Sequence, residues 1–176
     1  GTLDRTHASE RLAAFEEKGR LIAVSPERLC DSTLVSRSIT MRRSKNNIRK
    51  NLEVWENYAW PKDGDEWEGQ ARLCHQPYDL WKRSLVQNFI LNHIDDESVV
   101  LEIGPGHGRW TSAILEKAGK VILVDVSPKC IDYCRGRFGH LKNVEFHVND
   151  GKTLDFVQDN SVDLIWSYDS LVHMDE

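Results

Sequence analysis

No apolar run in this 176-residue chain approaches the roughly 20 residues that a helix needs to cross a bilayer. The N-terminus, Gly1-Thr-Leu-Asp-Arg, lacks the apolar core of a secretory signal. It opens on Gly1 rather than Met, so a segment removed ahead of it stays open. Basic charge is also short. Lys and Arg number 23 against 28 Asp and Glu, for a net charge of −5, which argues against a partner built mainly of phosphates such as nucleic acid. Cysteine is sparse and scattered over Cys30, Cys74, Cys130 and Cys134, with no dense disulfide pattern. The pair Cys130 and Cys134 lacks the CxxC spacing or nearby His of a metal site, and reads as reduced thiols of a cytoplasmic protein with no bound metal. Internal repeats and low-complexity stretches are absent. What remains, 40% hydrophobic and 29% charged, suits one sizeable core and leaves little room for two.

Residues 1–74 read as a helical and irregular N-terminal extension. Thr6 to Lys18 has a helical pattern ending at Gly19, and Ser25-Pro26-Glu27 looks like an N-cap followed by proline at the first helical position. Arg37 to Lys50 holds six basic residues and no acid; with no interleaved aromatics it reads as a solvated helix face rather than a phosphate-binding arm. A segment rich in Trp, acids and Gly follows at 55–69. It either folds over a pocket as a lid, with Tyr58 and Trp60 as its cover, or uses its rings to anchor a long loop. From residue 75 the pattern changes. His75 to His93 carries apolar residues at helical spacing. Strands are predicted at 98–103, 120–125, 143–148 and 162–167, with helices over Arg109 to Ala118 and Pro128 to Phe138. Short apolar strands alternating with helices predict an α/β domain over 75–176, a Rossmann-like, doubly wound parallel sheet whose ligands bind at the carboxyl ends of the strands.

The central motif, Glu102-Ile103-Gly104-Pro105-Gly106-His107-Gly108, follows the first of these strands and opens a helix. Its glycines permit a tight turn and close approach of a ligand to the backbone. Dinucleotide-binding loops share such turns, but their G-x-G-x-x-G spacing needs a small residue where Arg109 stands. Asp125 ends the second strand about twenty residues on, where an acid can accept both ribose hydroxyls. Asp150 follows the third strand in Asn149-Asp-Gly151, and each Asp alone could be a turn former. The G-x-G-x-G spacing with its upstream acid resembles motif I of class I methyltransferases dependent on S-adenosylmethionine (SAM). The wider run over about 51–176 resembles a bacterial, largely uncharacterised subgroup of them. The resemblance implies SAM as cofactor, held by Glu102, Gly104, Pro105, Gly106, Gly108, Asp125, Val126, Asp150, Gly151 and Ser167. The loop would wrap the amino-acid end of SAM, and Asp150 would meet the adenine amino group.

The fourth strand runs into Ser167-Tyr-Asp-Ser-Leu-Val-His173, which in that family lies beside the methyl donor. It lacks the Asn/Asp-Pro-Pro-aromatic motif of adenine and glutamine methylation, which turns the expectation toward a small-molecule acceptor, an oxygen of a sugar or secondary metabolite. His173 is the candidate base or acceptor-orienting residue, with Asp169 second; a purely structural helix-start role is the rival for His173. A non-catalytic module holding SAM or its demethylated product is the other reading of the whole chain. Family domains continue past the fourth strand, which implies a chain truncated at Glu176 whose bare apolar strand edge invites a homodimer.

Overall fold

The computed structural model describes residues 20–24, 48–61, 71 and 75–173. The expected helix at 6–18, the cap at 25–27, Cys30, Cys74, most of the basic stretch and residues 62–70 lie outside them. In chain order the elements are β1 (Arg20–Val24), α1 (Ile48–Asn57), α2 (Tyr78–Leu85), β2 (Val99–Ile103), α3 (Thr111–Leu115), β3 (Lys120–Asp125), α4 (Pro128–Phe138), β4 (Val144–Val148) and β5 (Leu164–Tyr168). The five strands form one sheet in the order β1-β5-β2-β3-β4, and every pairing is parallel.

The Rossmann-like α/β fold expected from residue 75 onward is present, with boundaries moved by up to three residues. The first part departs from expectation. A strand that was not expected, β1, joins the sheet beside β5, with Arg20 opposite Leu164 and Val24 opposite Tyr168. The edge of β5 is therefore not bare, and the argument for self-association through it falls. The outer edge on the other side, β4, is blunted by charge. Glu145 there bonds Lys120 of β3 at 2.8 Å.

Winding explains the two faces. The chain runs β2, β3, β4 outward in one direction, then returns to place β5 on the far side of β2. With the same crossover hand, that reversal moves the connection to the opposite face. Alternation along the strands follows suit. Val100, Val121, Leu123, Leu164 and Trp166 face α2, α3 and α4 in the larger core, whereas Leu101, Ile122, Val124 and Ile165 face the β4–β5 connection with Leu154 and Val157. The reversal between β2 and β5 is the switch point, where a crevice opens at the strand ends.

Local chemistry sets the helices. Ser127 caps α4, its Oγ accepting from the Cys130 N–H at 3.2 Å, and Pro128 fills the first turn. Cys130, Ile131, Cys134 and Phe138 then fall on the buried face. Pro77 is the N-cap of α2, whose first residue, Tyr78, lies three residues after the expected His75. A π-helical turn, Val86–Ile90, continues it and is followed by a 3-10 turn, Leu91–His93. The wider turn keeps Ile90 beneath Leu85, so Trp81, Leu85 and Ile90 are all buried. Behind the crevice, Trp110 meets Trp166 edge-on at 5.7 Å and Tyr168 at 4.9 Å, and Trp81 meets Tyr168 at 6.2 Å. Trp166 is fully buried at the centre of the sheet. Trp166→Ala should lower unfolding free energy by roughly 3–5 kcal/mol, read as a shift of the urea midpoint.

Candidate functional site

The carboxyl ends of β2, β3 and β5 converge on a cavity of about 240 Å³. β2 leads into the glycine loop. Gly104 donates its N–H to Val124 O at 2.9 Å and takes φ +69°, and Gly106 takes φ +55°. Both conformations belong to the left-handed region, where side chains are strained. Space is as restrictive as angle. A Cβ on Gly104 would lie 2.5 Å from Ser170 Oγ, and one on Gly106 would lie 2.6 Å from the Trp60 ring. The loop thus presents bare backbone to the cavity.

Asp125 closes β3 and lines the same cavity. Its Oδ1 accepts from the Ser127 N–H at 2.9 Å, and its Oδ2 from the Gly106 N–H at 3.4 Å. Burial pushes its carboxyl up to about 6, against the pull of the N–H groups of Ser127, Gly106 and Val126. Pro105, Val126 and Gly151 also line the cavity, together with Ile48, Cys130 and Leu154. Asp169 and His173 enter from the segment after β5. Asp169 is held at φ +55°, a conformation unusual for a residue other than glycine. His173 ends a short 3-10 turn, Leu171–His173, and its N–H bonds Ser170 O at 3.0 Å.

Four residues read from the sequence as cofactor-binding are placed elsewhere. Glu102 points to the helix-covered face of β2, is 1% exposed, and accepts from Thr111 Oγ1 at 2.6 Å. It fastens the start of α3 beneath the loop. Gly108 abuts the Phe138 ring of α4 rather than the cavity. The Asp150 carboxylate is exposed and caps its own turn, accepting from Lys152 N–H at 2.9 Å and Thr153 N–H at 3.2 Å, which also lowers its pKa. Its neighbour Asn149 lines the cavity instead. Ser167 Oγ donates to Ile103 O at 3.1 Å, bracing β5 against β2.

The aromatic segment at 55–69 is partly within view. Trp55 lies in the last turn of α1, and α1 lays Ile48, Asn51 and Trp55 along the cavity. Two ties hold it there. Asn51 Nδ2 donates to His173 O, and Glu56 Oε1 accepts from Ser127 Oγ at 2.5 Å. Trp60 lines the cavity and stacks on His107 at 4.8 Å, which stacks in turn on Tyr133 at 3.7 Å. Burial, with Arg137 nearby, holds the His107 imidazole below its ordinary pKa. Tyr58 remains exposed. Trp55 also packs edge-on against the His173 ring at 5.3 Å. Arg109, notable in the motif only for excluding the dinucleotide spacing, lines the cavity, 4% exposed, with its guanidinium carbon 4.1 Å from the Trp110 ring centre.

Residues 100–176 match the family model described as a methyltransferase domain. Among curated proteins the chain is similar to a probable ribosomal RNA small subunit methyltransferase A of Methanococcoides burtonii, 34% identical over 90 residues, covering 51% of this chain and 33% of that protein. It is also similar to phosphoethanolamine N-methyltransferase 1 of Arabidopsis thaliana, 37% identical over 78 residues, covering 44% of this chain and 16% of the plant protein. The chain thus spans a third or less of the length of these relatives. Among solved structures, the N-methyltransferase NodS of Bradyrhizobium japonicum shares the fold with a TM-score of 0.54 at 19% identity, over 74% of this chain and 60% of that one. Among the described residues, no helix is long and apolar enough to cross a membrane.

Two outcomes test this geometry. Gly106→Ala strains the loop and displaces Trp60, and should cost about 1–3 kcal/mol of stability, with a change in tryptophan fluorescence. Glu102 gives a pH signature. Burial raises its carboxyl from 4.5 to about 7, opposed by Thr111 and Arg109. The stabilisation from holding the proton is whole below pH 4.5 and is lost as pH rises through about 7. Glu102→Gln, which does not ionise, should therefore show a smaller fall in urea-midpoint stability than wild type across that window.

Proposed function

We propose that this chain binds SAM at the strand-end cavity and transfers its methyl group to a small-molecule acceptor. One observation carries the reading: the two strained glycines at 104 and 106 and the Asp125 carboxylate face a single cavity. The lining fits the parts of SAM. The glycine loop brings backbone to the cavity wall, where the amino-acid end of SAM can approach it. The two oxygens of Asp125 suit a pair of vicinal ribose hydroxyls. Ile48, Val126, Cys130 and Leu154 make an apolar wall suited to a flat base. When bound, SAM supplies a methyl carbon activated by an adjacent sulfonium.

The protein's part is alignment and exclusion of water. Trp55 and Trp60 wall the cavity, and α1 is pinned across it through Asn51 and Glu56. His173 and Asp169 stand at the acceptor end. In this reading His173 takes the proton that a hydroxyl acceptor loses as its oxygen gains the methyl, and Asp169 orients the acceptor.

The two curated relatives are named for different acceptors, ribosomal RNA and phosphoethanolamine. The net charge of −5 and the aromatic wall support a small molecule over RNA here. Titration calorimetry with SAM, S-adenosylhomocysteine and NAD tests the reading. The first two should bind, and binding of NAD alone would refute it. Asp125→Ala should weaken S-adenosylhomocysteine by about 1.5–3 kcal/mol, since it removes charge-assisted hydrogen bonds. His173→Ala should leave that affinity within twofold while lowering methyl transfer about 10²–10⁴-fold across a panel of metabolite hydroxyls. Binding without turnover on any acceptor would favour a non-catalytic SAM-binding module.

A further inference from the structure

Near His173 the cavity is walled by rings. Trp55 and Trp60 line it, both half-buried and tilted by 35° to each other at 5.9 Å. Trp55 meets the His173 ring edge-on at 5.3 Å, and Tyr168 lines the cavity from β5. Polar side chains there are mostly committed. Asn51 gives its amide N–H to His173 O, and Ser170 Oγ donates to Ile103 O at 3.0 Å. After β4, Asn149 bonds the backbone of its own turn at Gly151 and Thr153, and Thr153 Oγ1 donates to Asp155 Oδ2 at 3.0 Å. Asp125 accepts from the glycine loop and from Ser127. Arg109 lies against the Trp110 and Tyr168 rings, and Lys152 is exposed. Among the described residues lining the cavity, at most Asp169 and His173 are left to bond an acceptor. Two such groups do not suit a polyol. A sugar brings several hydroxyls, and each one buried without a partner is penalised. A flat acceptor with one hydroxyl needs no more than two partners, and its ring gains from offset or edge-to-face contact with indole. Acidity favours the same class. An imidazole takes a proton more readily from a phenol, of pKa about 10, than from an alkyl alcohol, close to water at about 16.

We propose, resting on the SAM reading above, that the acceptor is a phenol, an aromatic ring held against Trp55 with its hydroxyl at His173. In the transfer, the phenol proton passes to the His173 imidazole and an electron pair of the oxygen forms the new bond to the methyl carbon. The bond from that carbon to sulfur breaks, and its electrons stay on sulfur. The products are an aryl methyl ether, the neutral thioether S-adenosylhomocysteine and an imidazolium that returns its proton to water. Trp55 sets specificity in this arrangement, because it touches both the ring of the acceptor and the residue that takes its proton.

The test is calorimetric titration of the protein loaded with S-adenosylhomocysteine. The probes are 2-naphthol, its saturated counterpart decahydro-2-naphthol, and methyl glucoside. The saturated alcohol is about as apolar as the naphthol, so burial of area alone does not separate them. 2-Naphthol should bind roughly tenfold tighter than decahydro-2-naphthol, through ring contacts, and methyl glucoside should bind more weakly than either. Trp55→Leu should bring the ratio of the first two below about threefold, whereas Trp55→Phe should keep most of it. A ratio is insensitive to any change in donor affinity, and binding of S-adenosylhomocysteine by each variant reports a folded pocket. With SAM as donor, 2-naphthol should yield 2-methoxynaphthalene and decahydro-2-naphthol no ether. Binding of 2-naphthol no tighter than that of the saturated alcohol or the glucoside overturns the proposal, as does a ratio unmoved in Trp55→Leu. Absence of naphthol binding by a wild type that holds S-adenosylhomocysteine overturns it too. Failure of the wild type to bind S-adenosylhomocysteine at all removes the SAM reading and the phenol with it, an outcome distinct from the others.

Discussion

Two hydrogen bonds tie the glycine loop to the neighbouring strand, from Gly104 to Val124 O and from Gly106 to the Asp125 carboxylate. They fix the height at which backbone and carboxylate meet, and the rest of the crevice is arranged around them. Both donors belong to residues with left-handed backbone, so the loop holds its shape only because the surroundings over-determine it. Glu102 below fastens the start of α3, Trp60 above lies where a Gly106 side chain would be, and Ser170 fills the corresponding place at Gly104. Removing any one support leaves a strained turn with fewer contacts opposing its relaxation.

The helix α1 bears on the loop from the outside. Its ties run to different elements, Asn51 to the segment after β5 and Glu56 to the start of α4. A single helix therefore contacts both the His173 end and the Asp125 end of the cavity. Trp55 against His173, and Trp60 against His107, extend that link through ring contacts. The aromatic residues near position 55 are therefore both anchor and cover. The sequence left these as rival readings, and the geometry makes them one arrangement: rings that line a cavity are also held by each other.

Much of the sheet is visible in the sequence because its signals are local. β2 to β5 are short β-branched runs with turn residues at their ends, and Ser127-Pro128 marks the start of α4 to the residue. β1 escaped notice for the opposite reason. Arg20–Val24 is five residues long, lies just after Gly19 and just before Ser25-Pro26, and has its partner in β5, at the far end of the chain. Nothing local distinguishes such a run from a linker between helices. Site residues divide along similar lines. Gly104, Gly106 and Asp125 carry a type and spacing that point to the strand ends, and all three line the cavity there. Asp150 carries the same type and spacing but spends its carboxylate on its own turn, and a sequence does not separate a turn-capping Asp from a ligand-facing one. Arg109 was informative by what it excluded, and its burial against two rings emerges only once β5 brings Tyr168 alongside.

The pairing of β1 with β5 bears on how the chain reaches this state. Among the described strands synthesis delivers Arg20–Val24 first, yet the strand it pairs with is made after β2, β3 and β4. Until then β1 has no partner in the register it finally adopts, and its backbone is left to water or to other chains. Closing so long a span is entropically expensive and tends to come late. The β2–β3–β4 unit, built from neighbouring segments with α3 and α4 between them, has no such wait. Of the described strands, β1 comes first in the chain and its partner β5 last, so the β5 side of the crevice is completed only when the two pair.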